Sequence, residues 1–562
     1  MSWIDWAVLA GTLSFIVLYG IYKSRNTRTL QGYLLADKQL PWYHVGLSVM
    51  ATQASAITFL SAPGQGYDDG LRFVQFYFGL PLAMVVLCIT FVPIFHKLNV
   101  YTAYEYLEKR FDNRTRTFTS SLFLLQRGLS TGITIYAPAI ILSTILGIDI
   151  HLTIILNGVL VIIYTVYGGT KAVSHTQLLQ MTIIFGGIIT AAVLVVKMLP
   201  ENVGLTDAFH LAGAMGRLNT IDLEFDVQNR YNIWSGLIGG FFLQLSYFGT
   251  DQSQVGRYLT GSSITQSRLG LIMNGIVKIP MQFFILLTGV LVFVFYQFNE
   301  PPVFFNQTEV QQLQAKGYGE RVTRLESLHS KNFTEKKKYA EALVTAVQQN
   351  NERGKEEVKG HLVKLRIEQE AIRKDMKSLI AEANTVADTN DSNFVFLHFV
   401  TTRLPVGIVG LLIAVIFLAA MGSTASGLNS LASTTIVDLY KRFRNEKENA
   451  SDVRVTRWCT VAWGIFCIVV AIFASKLGNL IEAVNILGSL FYGTILGIFL
   501  VAFYMKNIKG PAVFYAAVIA EVFVVLAWIF ELSAFLWLNV IGCALVAMLA
   551  LLFNRISSLK NQ

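Results

Sequence analysis

Charged residues are scarce in this chain. Asp, Glu, Lys and Arg make up 14% of its 562 residues, whereas soluble domains carry about 25%. Hydrophobic residues make up 53% of the sequence, and the mean hydropathy is +0.51. This composition excludes an ordinary soluble protein and indicates a chain that lies mostly within a lipid bilayer.

Motifs of several function classes are also missing. The four cysteines form no C-x-x-C pair and no metal-ligand spacing, and each lies in an apolar stretch where a thiol packs as a small hydrophobic group. No G-x-x-x-x-G-K-[ST] motif for ATP and no nucleophile–base pair appears. The basic residues flank apolar stretches and form no single patch, so the net charge of +9 does not indicate nucleic-acid binding. We expect neither an enzyme nor a bound cofactor.

Apolar stretches of about 20 residues recur along the chain, and each is long enough to cross about 30 Å of hydrocarbon. No Lys or Arg precedes the first of them, whereas Lys23, Arg25 and Arg28 follow it. We therefore expect that it is not cleaved, that the N-terminus lies outside a cell membrane and that the C-terminus lies inside. The predicted spans of this multi-pass protein are thirteen, near 3–23, 41–67, 71–96, 116–146, 151–168, 173–198, 232–259, 269–298, 394–430, 455–476, 479–505, 510–530 and 533–554.

Two of these spans are interrupted by small and polar residues. In the second span, hydroxyl residues occupy the middle, and Pro63, Gly64 and Gly66 weaken the helix near one end. In the seventh span, glycines and polar groups interrupt residues 239–252. Backbone that unwinds within lipid must face protein or a wet cavity, and transporters bind ions and substrates at such breaks. The interruptions predict an inverted repeat of two five-helix units, the first at 41–198 and the second from about 232.

The segment 299–393 is polar and separates spans one to eight, within 1–298, from spans nine to thirteen, within 394–562. Leucine, valine and isoleucine recur in it at helical spacing, and Gly354 and Gly360 interrupt the pattern. We predict a helical hairpin or short coiled coil outside the membrane. It is either a passive insertion or a docking module for an unknown extracytoplasmic partner.

Hydroxyl groups cluster at the end of the ninth span, where Ser423, Thr424 and Ser426 lie within about one helical turn. Na⁺ is a hard cation that binds several oxygen ligands. These hydroxyls, together with carbonyls released by the broken second span, would supply such ligands. The alternative is packing between helices, because small and hydroxyl residues also mediate helix contacts in lipid.

Five motifs in order along the membrane part resemble the sodium:solute symporter family. They are Ala51–Tyr67, Tyr136–Ala139, Gly168–Val173, Asp251–Leu259 and Ser423–Tyr440. The resemblance implies an all-α integral membrane protein with a LeuT-type 5+5 inverted repeat and extra flanking helices. It also implies Na⁺-driven uptake of a small-molecule substrate, with Na⁺ as the coupling ion.

The family's main sodium site maps onto residues of the second and ninth spans. The resemblance implies carbonyl ligands from Ala51, Ala54 and Ala419 and a hydroxyl ligand from Ser423. Gly422 stands at the first of the two usual hydroxyl positions, so Thr424 would serve if the helix rotates. The family's accessory sodium site lacks its acid, because Gln177 stands there, and Ala425 replaces a facing hydroxyl. We therefore expect one Na⁺ per substrate.

Arg127 is the residue that gives the most information about the substrate. A charge inside a span is costly and normally faces a cavity or a partner, and a guanidinium suits a carboxylate through two parallel hydrogen bonds. Bacterial sialic acid transporters of this family carry an Arg on this helix that binds the substrate carboxylate. Ser55, Thr58 and Phe73 fit substrate positions of the same subgroup. The alternatives are that Arg127 extends to the inside surface or pairs with a buried acid.

Three more residues are candidates for substrate contact. Lys278 matches a family lysine on the eighth span, with a structural contact as the alternative. Tyr247 matches an aromatic inner gate, with core packing as the alternative. Asn485 either binds substrate or joins helices. The sequence thus predicts a Na⁺-coupled importer of a small organic anion, a sialic acid or related sugar acid, that works by alternating access. The alternatives are a symporter of a neutral sugar or other small solute, and a sensor with a transporter fold.

Overall fold

The computed structural model describes residues 1–24, 32, 35–98, 100–384, 389–441, 451–477 and 479–560. Within these ranges, ten helical stretches are long and apolar enough to cross a membrane, and Ile150–Val166 forms a shorter apolar helix. The two interrupted spans consist of shorter helices, at 42–69 and 235–258. Helices therefore cover all thirteen predicted spans.

The first helices form one half of the bundle. Residues 70–77 form a 3₁₀ helix, and residues 87–91 a single π-helical turn between two helices. The helices are α1 (Trp3–Ser24), α2 (Trp42–Gln53), α3 (Ala56–Asp69), α4 (Leu80–Val86), α5 (Val92–Leu98), α6 (Glu105–Arg110), α7 (Asn113–Leu146) and α8 (Ile150–Lys197).

Helix α8 contains the fifth and sixth predicted spans in one continuous run of helical residues. Its two parts nevertheless cannot be collinear. The hydroxyl of Tyr164 lies 2.7 Å from the hydroxyl of Thr176, although twelve residues of straight helix would separate them by about 18 Å. The helix axis therefore turns sharply between these two residues, where the fifth predicted span ends and the sixth begins.

The second half of the bundle repeats this plan after a loop that contains a short helix. Its first helix is again broken in two, at Asp251. The helices are α9 (Leu205–Ala214), α10 (Gly240–Thr250), α11 (Gln252–Tyr258), α12 (Ile264–Phe298), α13 (Gln307–Leu313), α14 (Gly319–Gln348), α15 (Glu352–Ala383), α16 (Ser392–Arg403), α17 (Ile408–Thr434), α18 (Ser451–Phe473), α19 (Leu480–Tyr504), α20 (Gly510–Ile529) and α21 (Phe535–Lys560).

The ninth predicted span, 394–430, is wrong at its beginning. Residues 392–403 form the separate helix α16, and the membrane helix α17 begins only at Ile408. Pro405 lacks an amide hydrogen and cannot continue α16. Gly407 follows with φ of 87°, a backbone conformation that favours glycine. Apolarity alone did not reveal this break, because both helices are apolar.

The polar segment 299–393 contains an antiparallel helical hairpin, α14 and α15, with the short helix α13 packed against it. A small apolar core of its own includes Val322, Met376 and Ile380. The hairpin also contacts the membrane part of the chain. The Gln348 amide donates to the carbonyl of Asn202 at 2.9 Å, and the Lys336 ammonium lies 6.0 Å from the ring centroid of Phe293 in α12. The hairpin is thus fixed against the bundle.

A buried ion pair joins α7 to the π-helical turn that follows α17. Arg116 donates through Nε and Nη2 to one oxygen of Asp438, at 2.8 and 2.6 Å, and the Thr102 hydroxyl donates to the same oxygen. Asp438 is fully buried. This contact explains the aspartate of the predicted motif Val437–Tyr440 as a structural residue.

Replacement of Arg116 by Ala should destabilise the protein strongly. The substitution leaves the Asp438 carboxylate buried without its charge partner, which typically costs about 3–5 kcal/mol. Thermal unfolding in detergent measures the loss. Arg114→Ala is the matched control, because Arg114 is exposed and lies two residues away on the same helix. Equal unfolding temperatures for the two variants would contradict a stabilising role for the Arg116–Asp438 pair.

Candidate ion and substrate site

The break in the second span lies at Ala54 and Ser55, between α2 and α3. Ala54 has ψ of 79° and Ser55 is extended, with ψ of 174°. The predicted weakening at Pro63, Gly64 and Gly66 is wrong, since all three lie within helix α3. The two glycines instead allow close packing. A Cβ on Gly64 would lie 1.9 Å from the Ser392 carbonyl oxygen, and one on Gly66 would lie 2.3 Å from that of Leu286.

The break releases backbone carbonyls. The Ser55 amide donates to Gln53 at 3.0 Å and the Thr58 amide donates to Ser55 at 3.0 Å. In a continuous helix these two amides would donate to Ala51 and Ala54. The carbonyls of Ala51 and Ala54 therefore lose their helical partners, as the predicted ion site requires.

Helix α17 lies beside this break. The Thr52 hydroxyl of α2 is 3.2 Å from the Ser426 hydroxyl of α17. One turn earlier, the Ser423 hydroxyl donates to the Ala419 carbonyl at 2.9 Å, which leaves its oxygen lone pairs free to bind a cation. The Thr424 hydroxyl oxygen is buried and makes no hydrogen bond within the described residues. All five predicted sodium ligands thus belong to two segments that pack together.

Gln177 occupies the predicted accessory position. Its carbonyl oxygen accepts from the Ser48 hydroxyl at 2.6 Å. Its amide nitrogen donates to the Thr52 and Ser426 hydroxyls and to the Gly422 carbonyl, at 3.2, 3.1 and 3.3 Å. The two hydrogens of the amide nitrogen are thus shared among three oxygens that would otherwise be available to a cation.

A buried cavity of about 80 Å³ lies next to the α2–α3 break. Five of the predicted substrate residues line it, and they come from four different helices. They are Ser55, Thr58, Arg127, Tyr247 and Asn485. The tertiary structure thus brings residues that are far apart in the sequence to one polar cavity.

Arg127 has both a cavity surface and a buried acidic partner. Its side chain is only 9% exposed, and Nη1 lies 3.6 Å from the Asp251 carboxylate. Its guanidinium carbon lies 5.9 Å from the ring centroid of Tyr247. The Nε atom is buried and makes no hydrogen bond within the described part of the chain. Arg127 therefore does not extend to the surface, and it retains donors for an anion.

Asp251 is the residue at the break in the seventh span. Its carboxylate accepts from the Tyr492 hydroxyl at 2.9 Å and from the Ser253 hydroxyl at 2.6 Å, and it also caps helix α11. Two neutral donors and a helix N-terminus therefore stabilise its charge in addition to Arg127. Asp251 fixes the position of the guanidinium without satisfying all of its donors.

Two predicted substrate residues lie outside the cavity. Phe73 is fully buried and stacks on Phe76, whose ring lines the cavity, with centroids 5.4 Å apart. Lys278 lies behind Tyr77, another lining residue, with Nζ 5.8 Å from the ring centroid. Both residues support the wall and do not form its surface.

Sequence reasoning missed several lining residues and the partner of Arg127. The missed residues are mainly aromatic or apolar and carry no signal of their own. Two of the polar ones were detectable, since Gln53 lies in the interrupted stretch and Ser130 lies one turn after Arg127. The missed lining residues are Gln53, Ile57, Phe76, Tyr77, Ser130, Leu243, Ile481, Val484, Gly488 and Tyr492.

A similar architecture occurs in a solved Na⁺-coupled sialic acid symporter, in its substrate-bound outward-open state. The TM-score is 0.75 at 24% sequence identity, and the alignment covers 99% of this chain and 98% of that one. The similarity confirms the LeuT-type fold. A broken helix in each half of the bundle, beside one polar cavity, is typical of secondary transporters.

The chain belongs to the sodium:solute symporter family. The family model matches residues 33–312 and 375–520. The protein is therefore a multi-pass membrane transporter and not an enzyme, as predicted. The unmatched residues 313–374 are most of the helical hairpin, which is thus an addition to the family pattern.

Two curated sialic acid symporters align over most of the chain, and a human transporter aligns over about half of it. The sodium/sialic acid symporter SiaT of Proteus mirabilis is 28% identical over 548 residues, which covers 94% of this chain and 89% of the relative. The sodium/sialic acid symporter NanT of Aliivibrio fischeri is 25% identical over 566 residues, with 96% and 93% covered. The human sodium-coupled monocarboxylate transporter 1 is 34% identical over 273 residues, which covers 48% of this chain and 44% of the relative.

Proposed function

We propose that this protein is a Na⁺-coupled importer of a sialic acid or related sugar acid. The observation that carries this proposal is the guanidinium of Arg127 at the surface of a buried cavity, beside the hydroxyls of Ser55 and Thr58. A guanidinium binds a carboxylate through two parallel hydrogen bonds, and hydroxyls suit the remaining groups of a sugar. The relatives that carry the names SiaT and NanT support the same substrate class.

The ion and the substrate would be coupled through the α2–α3 break. Ala51 and Ala54, on one side of it, would bind Na⁺ together with Ala419 and Ser423, while Thr424 remains the alternative ligand. Ser55 and Thr58, on the other side, would contact substrate. Each ligand therefore stabilises the same local arrangement, and by linkage each raises the affinity for the other.

Uptake into proteoliposomes tests this function. Labelled sialic acid should accumulate only with an inward Na⁺ gradient, and unlabelled sialic acid or another sugar acid should compete with it, whereas glucose should not. Competition by neutral sugars would favour the alternative of a neutral-solute symporter. Binding of sialic acid without any uptake would favour a sensor with a transporter fold.

The Na⁺ stoichiometry depends on Gln177. We expect a Na⁺ Hill coefficient near one for the wild type, because the Gln177 amide donates to three oxygens of the accessory position. Gln177→Asp removes that amide and supplies a carboxylate, so the coefficient should rise toward two. Uptake measured against Na⁺ concentration gives both values.

Gln177→Leu is the control for this prediction. It removes the amide without adding charge, so the Hill coefficient should stay near one. A wild-type coefficient near two that falls when Ser426 is replaced would show that the accessory site binds Na⁺ without a carboxylate.

We further propose that the protein lies in the cell membrane with its N-terminus outside. The basic residues of the short loops support this orientation by the positive-inside rule. Thirteen crossings then place the C-terminus inside and the hairpin of α14 and α15 outside. Labelling of single introduced cysteines with a membrane-impermeant reagent tests the orientation, and labelling of the hairpin only in inverted vesicles would overturn it.

A further inference from the structure

The helical hairpin borders a large open space against the membrane part of the chain. Two neighbouring cavities of about 390 and 860 Å³ lie between the hairpin, the end of α3 and the loop after α9. They share the lining residues Asp68, Arg217, Arg366 and Glu370. Both volumes lie within the range of about 300–1,000 Å³ that small-molecule sites occupy. We name this space the vestibule.

Positive charge dominates the vestibule. Eight of its lining side chains are arginines or lysines, and four are aspartates or glutamates. Some of the acids are already paired, since Glu482 binds Arg230 and Glu370 lies 3.3 Å from Arg366. Of the basic residues, Lys336, Arg366 and Arg373 belong to the hairpin segment that the family model leaves unmatched.

Lys336 is the most buried of these cations, with a relative exposure of 3%. Its ammonium group donates to the neutral amide oxygen of Gln369 at 2.8 Å. Burial lowers the pKa of Lys336 to about 7, with further lowering from the neighbouring charges of Arg217, Arg373 and Arg366. These groups thus repel one another, and an anion among them would relieve the repulsion.

One guanidinium group in the vestibule also has an unused donor. The Nε atom of Arg217 is buried and makes no hydrogen bond within the described ranges of the chain, whereas the Nε atom of Arg366 already lies 3.3 Å from Glu370. An unsatisfied buried donor normally costs about 1–3 kcal/mol. A carboxylate would accept from Arg217 and offset both costs, the unmade hydrogen bond and the charge repulsion.

Stacked aromatic rings connect the lining of the vestibule to the lining of the central cavity. Tyr231, which lines the vestibule, packs edge-to-face on Phe73 with centroids 5.3 Å apart. Phe73 in turn stacks on Phe76, which lines the central cavity. The ion pair of Arg230 and Glu482 lies at the same level, on the lining of the vestibule. A thin aromatic layer thus separates the two spaces.

We propose that the vestibule is a second binding site, in which Arg217, Lys336 and Arg366 hold a carboxylated sugar before it enters the central cavity. The identity of the sugar acid rests on the proposed function, whereas the affinity for carboxylates rests on the vestibule alone. The hairpin is then neither a passive insertion nor only a platform for another protein. It raises the local concentration of an anionic substrate at the entrance, as an electropositive cleft does for a charged ligand.

Binding to a protein with a disabled central site tests the proposal. In the Arg127→Ala/Asp251→Asn background, calorimetry should show weak residual binding of sialic acid and of glucuronate. Adding Arg217→Gln and Lys336→Gln should reduce that residual affinity at least fivefold. The matched control adds Lys338→Gln and Lys364→Gln, which remove the same charge from exposed positions on the hairpin, and should leave the affinity within twofold.

A transport measurement provides the second readout. In an otherwise wild-type chain, Arg217→Gln/Lys336→Gln should raise the KM for the transported anion at least threefold with an unchanged maximal rate. The unfolding temperature of each variant shows whether it is folded, and Lys336→Met replaces Lys336→Gln if the latter unfolds. Residual binding that the exposed control pair weakens equally would overturn the proposal, as would an unchanged KM.

The test separates failure of the vestibule from failure of the proposed function. If the transported solute is not a sialic acid, glucuronate still binds the background protein in a manner that depends on Arg217 and Lys336. If the vestibule is wrong, sialic acid uptake through Arg127 persists while the residual binding is absent. If sulfate binds the background protein with the same affinity as both sugar acids, the vestibule is a nonspecific anion patch. That result would overturn the carboxylate assignment.

Discussion

Replacement of Arg127 by Ala should reduce substrate affinity about thirtyfold or more. The guanidinium lies at the cavity surface with an unused Nε donor, and loss of one partner from a buried charge pair costs about 2–5 kcal/mol. Arg127→Lys keeps the charge but loses the planar pair of donors. Its substrate affinity should therefore also fall, and the loss should not exceed that of Arg127→Ala. Binding of sialic acid and its carboxamide analogue measures the effect, and the wild type should reject the analogue.

Asp251 provides the control for this experiment. Arg127→Ala also leaves the buried Asp251 carboxylate without the cation 3.6 Å away, and this alone would disturb the cavity. The double variant Arg127→Ala/Asp251→Asn removes both charges. If uptake recovers in the double variant, Arg127 serves only to neutralise Asp251, and a neutral solute becomes the leading candidate. If it does not recover, the guanidinium binds the substrate.

Replacement of Ser423 by Ala should weaken Na⁺ binding about tenfold or more. The Ser423 hydroxyl donates its hydrogen to Ala419 and keeps its lone pairs, and its helix packs against α2, which carries the freed carbonyl of Ala51. Loss of a hydrogen-bond-like contact to a charged group costs about 1.5–3 kcal/mol. The Na⁺ concentration for half-maximal uptake measures the change.

Thr424→Ala tests the neighbouring position. The Thr424 hydroxyl oxygen is buried and makes no hydrogen bond within the described residues, so it serves as the ion ligand if the helix is rotated. A larger effect of Thr424→Ala than of Ser423→Ala would assign the ligand to Thr424. Unchanged Na⁺ dependence in both variants would refute the sodium site on α17.

The architecture followed largely from local sequence features. Apolar runs of the right length predicted where the helices lie, and ten helical stretches of the described residues are long and apolar enough to cross a membrane, because the hydrophobic thickness of a bilayer sets the length of each helix. The break at Ala54 and Ser55 lies within the interrupted stretch, although Pro63 and the neighbouring glycines were wrongly taken as its cause. Proline is tolerated within helix α3, where neighbouring helices pack around the backbone.

The tertiary structure alone decided which polar groups meet. The position of Arg127 within a span predicted that its side chain faces a cavity or a buried acid. Only the packing of helices from both repeats shows that it faces the cavity and also lies beside Asp251. Likewise, the vestibule depends on Arg217 of a loop and Lys336 of the hairpin, which no local pattern connects. Hydropathy and periodicity report the environment of one helix, whereas charges in low-dielectric surroundings interact across distant segments. The sequence by itself therefore determined the helical spans, the family and the interrupted helix beside the cavity, and the packing determined the partners of the buried charges.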